Sequence, residues 1–303
     1  MIRAVTVKNY RGEELRMELT NPERSGFIIT AIDGLGPVKA NINSTECANA
    51  DGARYNSARL SYRNITMHLT MYPYGNIENL RQKTYKYFPI KQKVNLEIET
   101  DNRICVTEGY VEANEPDIFS SQESTNISIM CPYPYFYSGD DDATSVAHFG
   151  SDEGFEFPFS NESLDTPKLS FAGIVSGGRY PVVYDGDSNP GVIIHIFARG
   201  SVVNPGVKSV TLNKTITISS SKLTSLTGSG VLAGDEFVIS TIRGNKYATL
   251  IRNGESINIL SCLGQNAGWF WLVNGKNMFS VSGTGDISLL RVWVEYKKLY
   301  EGI

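Results

Sequence analysis

A strand that runs into prolines and then into acidic residues divides this chain into two parts. Apolar residues alternate along the start of the segment 127–138, which predicts a half-buried strand. Pro132 and Pro134 follow, and because proline cannot donate to a neighbouring strand, the pairing should end there. Gly139 and the acidic run 140–142 then have the character of a solvated linker. The pattern predicts a domain boundary near residue 140.

Each part is long enough to bury a core, so residues 1–139 and 140–303 are predicted to be separate domains. Hydrophobic residues make up 41% of the chain and charged residues 20%, which is typical of folded globular proteins rather than disordered ones. The first part has 15 basic and 16 acidic residues, and the second has 13 and 16. Neither has the basic excess that binding to nucleic acid requires.

Signals for secretion, for a membrane span and for a cysteine-based site are missing from the sequence. The chain starts with an alternating strand pattern, and it has neither a signal-peptide core nor an apolar run of spanning length. The expectation is synthesis in the cytoplasm without a signal peptide. The cysteines are too scattered for a zinc pattern and too few for a disulfide scaffold. They are Cys47, Cys105, Cys131 and Cys262.

The first part is predicted to consist mainly of strands. Residues 43–58 are polar and show no usable period, so they are interpreted as a long loop. The longest alternating run follows over residues 60–71, and its change of parity near Arg63 and Asn64 predicts a β-bulge. A hairpin is predicted over residues 94–110.

One helix is predicted within this part. Asn76 is a good N-cap, Glu78 lies in the first turn where it complements the helix dipole, and Pro89 ends the helix. The apolar face of the helix is expected to cover one end of a barrel or sandwich. That face comprises Ile77, Leu80, Thr84, Tyr87 and Phe88.

The second part is almost wholly strand and turn. Asn-Gly pairs at 253–254 and 274–275 are strong signals for tight turns between strands. Many short strands at this spacing, without a helical period, predict an antiparallel sandwich of roughly ten strands. The predicted strands are Phe155–Ser160, Lys168–Ile174, Val182–Asp185, Gly191–Ala198, Ser209–Ser219, Glu236–Thr241, Tyr247–Arg252, Ser256–Ser261, Gly268–Leu272, Met278–Val281 and Ser288–Tyr296.

The sequence predicts no catalytic, metal or cofactor site. His68, His148 and His195 are far apart, and the first and last lie inside strand patterns, where a packed or solvated strand residue is the default. The motifs of nucleophile elbows, zinc proteases and phosphate-binding loops do not occur. The chain is therefore predicted not to be an enzyme.

Two tryptophans are the candidate ligand contacts. Trp269 and Trp271 flank Phe270 on a predicted strand, so the two indoles share one face. Aromatic rings on a β-sandwich can hold sugars, whereas tryptophan is also a common core residue. The two interpretations are contact with a saccharide and packing in the core.

A set of packing and turn motifs is distributed along nearly the whole chain. In the first part the motifs are the segments 32–38, 51–52 followed by 59–71, 109–111 and 128–137. In the second part they are the segments 200–205, 234–235 and 271–277 and the final strand with Tyr296 and residues 300–303. In their order, these motifs resemble those of the distal tail proteins of long-tailed, non-contractile bacteriophages and related prophages.

The resemblance implies a mainly β protein with an N-terminal ring-forming domain, residues 1–139, that has a β-barrel-like core and one α-helix. It implies a C-terminal galectin-like antiparallel β-sandwich over residues 140–303. Six copies would close a ring by heterologous contacts. The ring would join the tail tube to the tip or baseplate of the virion, with the tail tube protein, a tail-tip protein and a receptor-binding protein as partners.

One departure limits what the resemblance implies. Galectins bind galactosides through a histidine, an asparagine and an arginine on neighbouring strands, with a tryptophan nearby. The segment 192–200 has His195 and Arg199 but no asparagine between them, so "galectin-like" describes the shape alone. The alternative function is a carbohydrate-binding module that holds cell-wall sugars of a host through Trp269 and Trp271.

Overall fold

The computed structural model describes residues 1–48, 51–72, 76–120, 122–139, 144–149, 152–153, 172–173, 178–264 and 267–303. The chain forms two compact units. The first comprises Met1–Ala143 together with Leu299–Ile303, and the second comprises Thr144–Lys298. The boundary after residue 139 stays a prediction of the sequence, which does not indicate that residues 299–303 return to the first unit. The predicted linker 140–142, the predicted strand Phe155–Ser160 and most of Lys168–Ile174 lie outside the described residues.

The first unit is built on a large antiparallel sheet. Its elements are β1 (Ile2–Asn9), β2 (Glu14–Glu18), α1 (Pro22–Ser25), β3 (Phe27–Asp33), β4 (Ala40–Glu46), β5 (Ala53–Leu60), β6 (Arg63–Met71), α2 (Ile77–Tyr87), β7 (Lys93–Thr100), β8 (Ile104–Asp117), β9 (Ser124–Cys131) and β10 (Phe136–Ser138). The strand order is β2-β1-β7-β8-β9-β6-β3, and β10 pairs with β8 beside this path. Alternate residues of these strands face a core that includes Val7, Met17, Ile65, Leu96 and Ile129, each of them buried.

The helix predicted after Asn76 is confirmed. The Asn76 side chain accepts a hydrogen bond from the backbone N–H of Asn79 at 3.2 Å, which caps the first turn of α2. Thr84 and Phe88 are buried, whereas Ile77 at the start of the predicted apolar face is exposed. The four-residue helix α1, with Pro22 at its start, is an addition to the one helix predicted for this part.

The second unit is an antiparallel sandwich. Its elements are β11 (Ser145–Phe149), β12 (Asp152–Glu153), β13 (Ala172–Gly173), β14 (Tyr180–Tyr184), β15 (Ile193–Ala198), β16 (Val203–Ser209), β17 (Lys214–Thr217), α3 (Ser220–Thr227), β18 (Glu236–Ser240), β19 (Tyr247–Arg252), β20 (Glu255–Asn258), a 3₁₀ turn (Leu260–Cys262), β21 (Gly275–Thr284), a second 3₁₀ turn (Ile287–Leu289) and β22 (Leu290–Tyr296). The last strand of the chain, β23 (Leu299–Tyr300), belongs to the first unit.

Two sheets make the sandwich, one with the order β11-β22-β15-β18-β19-β20 and the other with the order β14-β21-β16-β17. Buried side chains of both sheets form one core, as in the stacking of Phe149 on Phe279 with ring centroids 5.2 Å apart. The mainly β fold and the predicted sandwich are therefore confirmed. The predicted turn at Asn253 and Gly254 is present, and both residues have positive φ, as a two-residue hairpin turn of this type requires.

Three local predictions in the second part are wrong. The helix α3 lies where only strands and turns are expected, between an N-cap at Ser219 and a left-handed Gly228. The predicted strand Ser209–Ser219 includes the turn between β16 and β17. Residues 268–272 form an extended segment with a single bridge, from Trp271 to Gly191, rather than a strand.

A buried ion pair explains how α3 is held against the sandwich. Asp235 is 1% exposed, and its two carboxylate oxygens accept hydrogen bonds from Nε and a terminal nitrogen of Arg252, each at 2.7 Å. The same guanidinium donates to the Thr227 and Ser229 hydroxyls and to the Gly230 carbonyl, just after the helix. Every donor direction of the arginine is therefore used, which is the condition under which a buried pair is tolerated.

We expect Asp235→Asn to lower the free energy of unfolding by about 3–5 kcal/mol, because it leaves a nearly buried guanidinium without its counter-charge. Urea denaturation of the full chain measures the change. Asp185→Asn is the matched control, since Asp185 pairs with Lys298 at the surface and its loss should change stability by less than about 1 kcal/mol. Equal effects of the two variants would contradict the structural role of the Arg252 pair.

Arg63 holds three remote segments of the first unit together. The side chain is 1% exposed, and its guanidinium donates to the carbonyl oxygens of Pro134 at 2.9 Å, Gly36 at 2.7 Å and Glu301 at 2.7 Å. It also donates to the Gly34 carbonyl. The ring of Phe136 lies 4.2 Å from the guanidinium carbon, which adds a cation–π contact. Burial lowers the pKa of Arg63, yet an arginine remains protonated in proteins, so the cation depends on these acceptors.

Candidate functional site

The strands β4 and β5 form a hairpin separate from the large sheet, where the sequence predicts a loop. Of the strands that the structure describes, these two pair only with each other, from Ala40 opposite Leu60 to Glu46 opposite Ala53. The predicted continuous run 60–71 is also wrong, because β5 ends at Leu60 and β6 begins at Arg63 in another sheet. The change of parity there marks the passage between two sheets rather than a bulge.

The hairpin has one face that is richer in apolar residues, which also carries Ser44 and Glu46, and one polar face. Residues directly opposite each other in a pair of strands share a face, so the pairs Ala40–Leu60, Ile42–Ala58 and Ser44–Tyr55 lie on the same side. Ile42 is 66% exposed and Tyr55 is 64% exposed. The other face carries the pairs Asn41–Arg59, Asn43–Ser57 and Thr45–Arg54. A two-stranded hairpin with no covered face is marginally stable alone.

The two candidate tryptophans lie on the second unit, in the extended segment after α3 and β20. Phe270 between them is 1% exposed and packs into the core, whereas Trp271 is 37% exposed and Trp269 is half-buried against the edge of the core. The exposed fraction alternates along residues 269–271, as the predicted two-residue spacing of the indoles requires. Trp271 is therefore the more available ring, and contact with a saccharide stays a prediction.

Each indole has a lysine ammonium over its ring, a feature that the sequence does not indicate. Nζ of Lys214 lies 3.9 Å from the Trp271 ring centroid, and Nζ of Lys246 lies 4.8 Å from that of Trp269. Lys214 also donates to the backbone carbonyl of Trp269 at 3.2 Å. Contacts of this length are typical cation–π interactions. We define these four residues as the indole–lysine patch.

The three histidines do not converge. His195 lies between Glu236, 2.9 Å from Nδ1, and Glu295, 3.5 Å from Nε2, and its ring stacks on Trp293 with centroids 4.8 Å apart. His148 is on the far side of the same indole, at 6.1 Å. Throughout the residues that the structure describes, no group of three or more His, Cys, Asp or Glu side chains is placed to hold a metal ion.

His68 is a surface residue of the first unit that bridges two strands. Its Nδ1 lies 2.7 Å from Oδ1 of Asn126 on β9, and its Nε2 lies 3.0 Å from Oδ2 of Asp33 on β3. The hydrogen bonds with Asp33 and with Asn126 raise the pKa of His68. Both ring nitrogens can donate in the protonated form, which is the form that these two oxygens favour.

We expect His68→Gln to remove a pH-dependent contribution to stability. A raised pKa in the folded state stabilises the fold below about pH 6.5, and the contribution is lost as the pH rises through the folded-state pKa. Its size should be under about 1 kcal/mol, because the site is partly exposed. Urea midpoints near pH 5.5 and pH 8.5 test this expectation, and an unchanged difference between variant and wild type at the two pH values would contradict it.

In the described part of the chain, no helix is both long enough and apolar enough to cross a membrane.

Comparison with known proteins was made at the level of families, curated proteins and solved structures. A scan against models of protein families finds no match, and a search of curated proteins finds none either. The match to solved structures is clear, and the fold is that of a bacteriophage distal tail protein.

The structure that shows this fold is that of the Dit protein of phage SPP1, described as a paradigm of the hub adsorption apparatus in phages that infect Gram-positive bacteria. The two chains share 10% sequence identity, with a TM-score of 0.63 over 97% of this chain and 98% of the SPP1 protein. The baseplate of phage P2 in its activated conformation with calcium also matches, at 10% identity and a TM-score of 0.49 over 100% of both chains. The resemblance stated from the sequence is confirmed at the level of the fold.

Proposed function

We propose that this chain is a structural hub protein of a phage tail. Copies of it would form a ring at the distal end of the tail tube, six to a ring, and join the tube to the tip or baseplate. Its location would be the virion, and its partners would be further copies, the tail tube protein, a tail-tip protein and a receptor-binding protein. The role would be non-enzymatic. Support comes from the shared fold over nearly the full length of SPP1 Dit.

The observation that carries the ring is the apolar face of the β4–β5 hairpin. Ala40, Ile42, Tyr55, Ala58 and Leu60 lie on one side of two strands that, within the described residues, pair only with each other, and Glu46 lies at the far end of the same side. The next copy of the same chain is the occupant we propose for that face. A contact between two different surfaces of one chain is heterologous, and repetition of such a contact closes a ring.

The oligomeric state tests this proposal directly. Size-exclusion chromatography with light scattering should give about six times the monomer mass, and negative-stain electron microscopy should show closed rings. A monomer at high concentration, in the presence of its tail tube and tail-tip partners, would contradict the ring.

Cys47 offers a second readout at the hairpin itself. It lies directly after β4 and is exposed, whereas Cys105, Cys131 and Cys262 are buried. A maleimide should therefore label one thiol in the monomer. Assembly should slow this labelling if the hairpin lies in the ring contact, and equal labelling rates in monomer and ring would place the contact elsewhere.

Binding of a saccharide by the second unit is the second candidate function. The specific observation in its favour is the outward position of Trp271 beside the buried Phe270. Titration of the full chain with cell-wall polysaccharide from a Gram-positive bacterium tests it, and Trp271→Ala should abolish any binding. This function is compatible with the ring, and each can fail without the other.

A further inference from the structure

The indole–lysine patch has a charge that a site for neutral sugars does not need. We propose that it binds a saccharide carrying an anionic group, either a carboxylate or a phosphate on the sugar. The inference rests on the second candidate function and specifies the chemical class of its ligand. The indole rings would pack on the sugar, and the two ammonium groups would pair with the anion.

The lysines of the patch have no counter-charge among the residues that the structure describes. Within the described ranges, no carboxylate lies within 4.0 Å of Lys214 or Lys246, although other lysines of the chain, such as Lys86 and Lys93, are paired with glutamates. Among the described residues, each ammonium group therefore contacts an indole ring, and that of Lys214 also contacts a backbone carbonyl. A contact with an indole face is weak compared with a charge pair, so the ammonium groups can bind an anion as well.

The backbone of the patch is held in place on both sides. The N–H of Gly268 donates to the Thr215 carbonyl at 2.8 Å, which ties the segment to β17 next to Lys214. A Cβ on Gly268 would lie 2.9 Å from the Lys214 Cβ, so only glycine permits this close approach. Phe270 and Leu272 are buried on the inner side. A site with fixed rings loses less entropy when it binds a ligand.

The position of the ammonium groups favours acidic sugars over neutral ones as ligands. A neutral sugar packs its C–H groups on an open indole face and gains nothing from a cation. On Trp271, the Lys214 ammonium occupies one side of the ring at 3.9 Å, so a ligand on the exposed remainder meets a positive charge beside it. An anionic substituent on the sugar would accept a charge-assisted hydrogen bond from that ammonium group.

Single-stranded nucleic acid also combines negative charge with flat rings, and it is the competing ligand class. The observations favour the saccharide, because nucleic-acid sites use an extended basic groove and residues 140–303 carry a net charge of −3. Two lysines supply too few phosphate contacts for such a groove. An oligothymidylate therefore serves as a probe whose binding would overturn the inference.

Isothermal titration of the full chain at low salt tests the proposal with five probes, of which oligothymidylate is the nucleic-acid one. Trigalacturonate carries carboxylates on sugar rings, glucose 6-phosphate carries a phosphate on a sugar, maltotriose is neutral, and triglutamate has charge without sugar. Binding of either acidic sugar, in preference to both maltotriose and triglutamate, is the expected result. The two acidic probes distinguish the carboxylate from the phosphate. Raising the salt to about 0.5 M should weaken this binding, because salt screens exposed charges.

Matched variants assign the binding to the patch. Lys214→Gln and Lys246→Gln should each weaken it about fivefold, as expected for a surface charge pair, and Trp271→Ala should abolish it. Lys276→Gln, at another exposed lysine of the same unit, should leave it unchanged. Far-ultraviolet circular dichroism checks that each variant is folded.

Three outcomes would overturn the inference. Preferred binding of maltotriose would leave the saccharide function in place and would refute the requirement for an anionic group on the ligand. Binding of oligothymidylate or triglutamate as strongly as of the acidic sugars would show that charge alone is recognised. An absence of binding to any probe would remove both the inference and the second candidate function, and would leave the ring proposal untouched.

Discussion

Replacement of Arg63 by methionine is expected to lower the free energy of unfolding of the first unit by about 3 kcal/mol or more. The variant leaves four carbonyl acceptors, those of Gly34, Gly36, Pro134 and Glu301, without their donor in a buried place. Methionine has a similar length and fills much of the volume, so the loss reports the hydrogen bonds rather than a cavity. Guanidinium denaturation of the full chain measures the change.

Two further variants distinguish the contribution of the planar guanidinium geometry from that of the positive charge. Arg63→Lys keeps the cation but has one donor group in place of the planar fork, so it should recover only a part of the loss. Arg54→Met, on the exposed hairpin, removes an arginine that lies in no core and should change stability by less than about 0.5 kcal/mol. A stability of Arg63→Met equal to that of Arg54→Met would contradict the role assigned to Arg63.

A glutamate in place of Ile42 is expected to prevent ring assembly while leaving the monomer folded. The side chain is largely exposed in the single chain, so its change costs the monomer little. In the proposed ring it would place an unpaired carboxylate in an apolar contact, with a cost of several kcal/mol per interface. Light scattering at increasing concentration should therefore find monomer where the wild type gives rings.

Asn43→Glu is the matched control for this prediction. Asn43 is the next residue of the same strand and lies on the opposite face of the hairpin, beside Ser57. The variant adds the same charge to the same element, and it should still form rings. Loss of assembly in both variants would show that both faces are covered, and assembly of both would exclude the hairpin from the ring contact.

The parts of the fold that follow a local pattern are predictable from the sequence. The alternation along β6 and β9, the capped helix after Asn76 and the Asn253–Gly254 turn all depend on neighbours in the chain, and all three are confirmed. The ten-strand sandwich follows from the repetition of such strands and turns.

The hairpin of β4 and β5 could not be recognised in the same way. A hydrophobic alternation appears in a sequence when one face of a strand is buried in its own core, and neither face of this hairpin is. Small and polar residues, such as Ala40, Ser44 and Ala58, therefore alternate too weakly to indicate a strand. Exposure of both faces in the single chain is therefore the reason that the prediction failed.

The candidate site was predictable only in its tryptophans. Their spacing gave the two indoles, but Lys214 is 57 positions from Trp271 and Lys246 is 23 positions from Trp269, and only the fold brings the ammonium groups over the rings. The clusters around Arg63 and Arg252 have the same character. Each of these two arginines binds backbone carbonyls or hydroxyls from distant segments, and the residue types in the sequence do not predict such partners.

The pairing of β10 with β23 has a consequence for the exchange of the second unit during evolution. Tyr137 faces Leu299, so the point where the chain leaves the first unit adjoins the point where it returns. In the second unit, Ser145 likewise faces Tyr296, so its two ends are neighbours as well. A domain with adjacent ends can be exchanged for another by recombination without breaking the sheet that receives it. The second unit could therefore be replaced in related chains while the first unit is inherited intact.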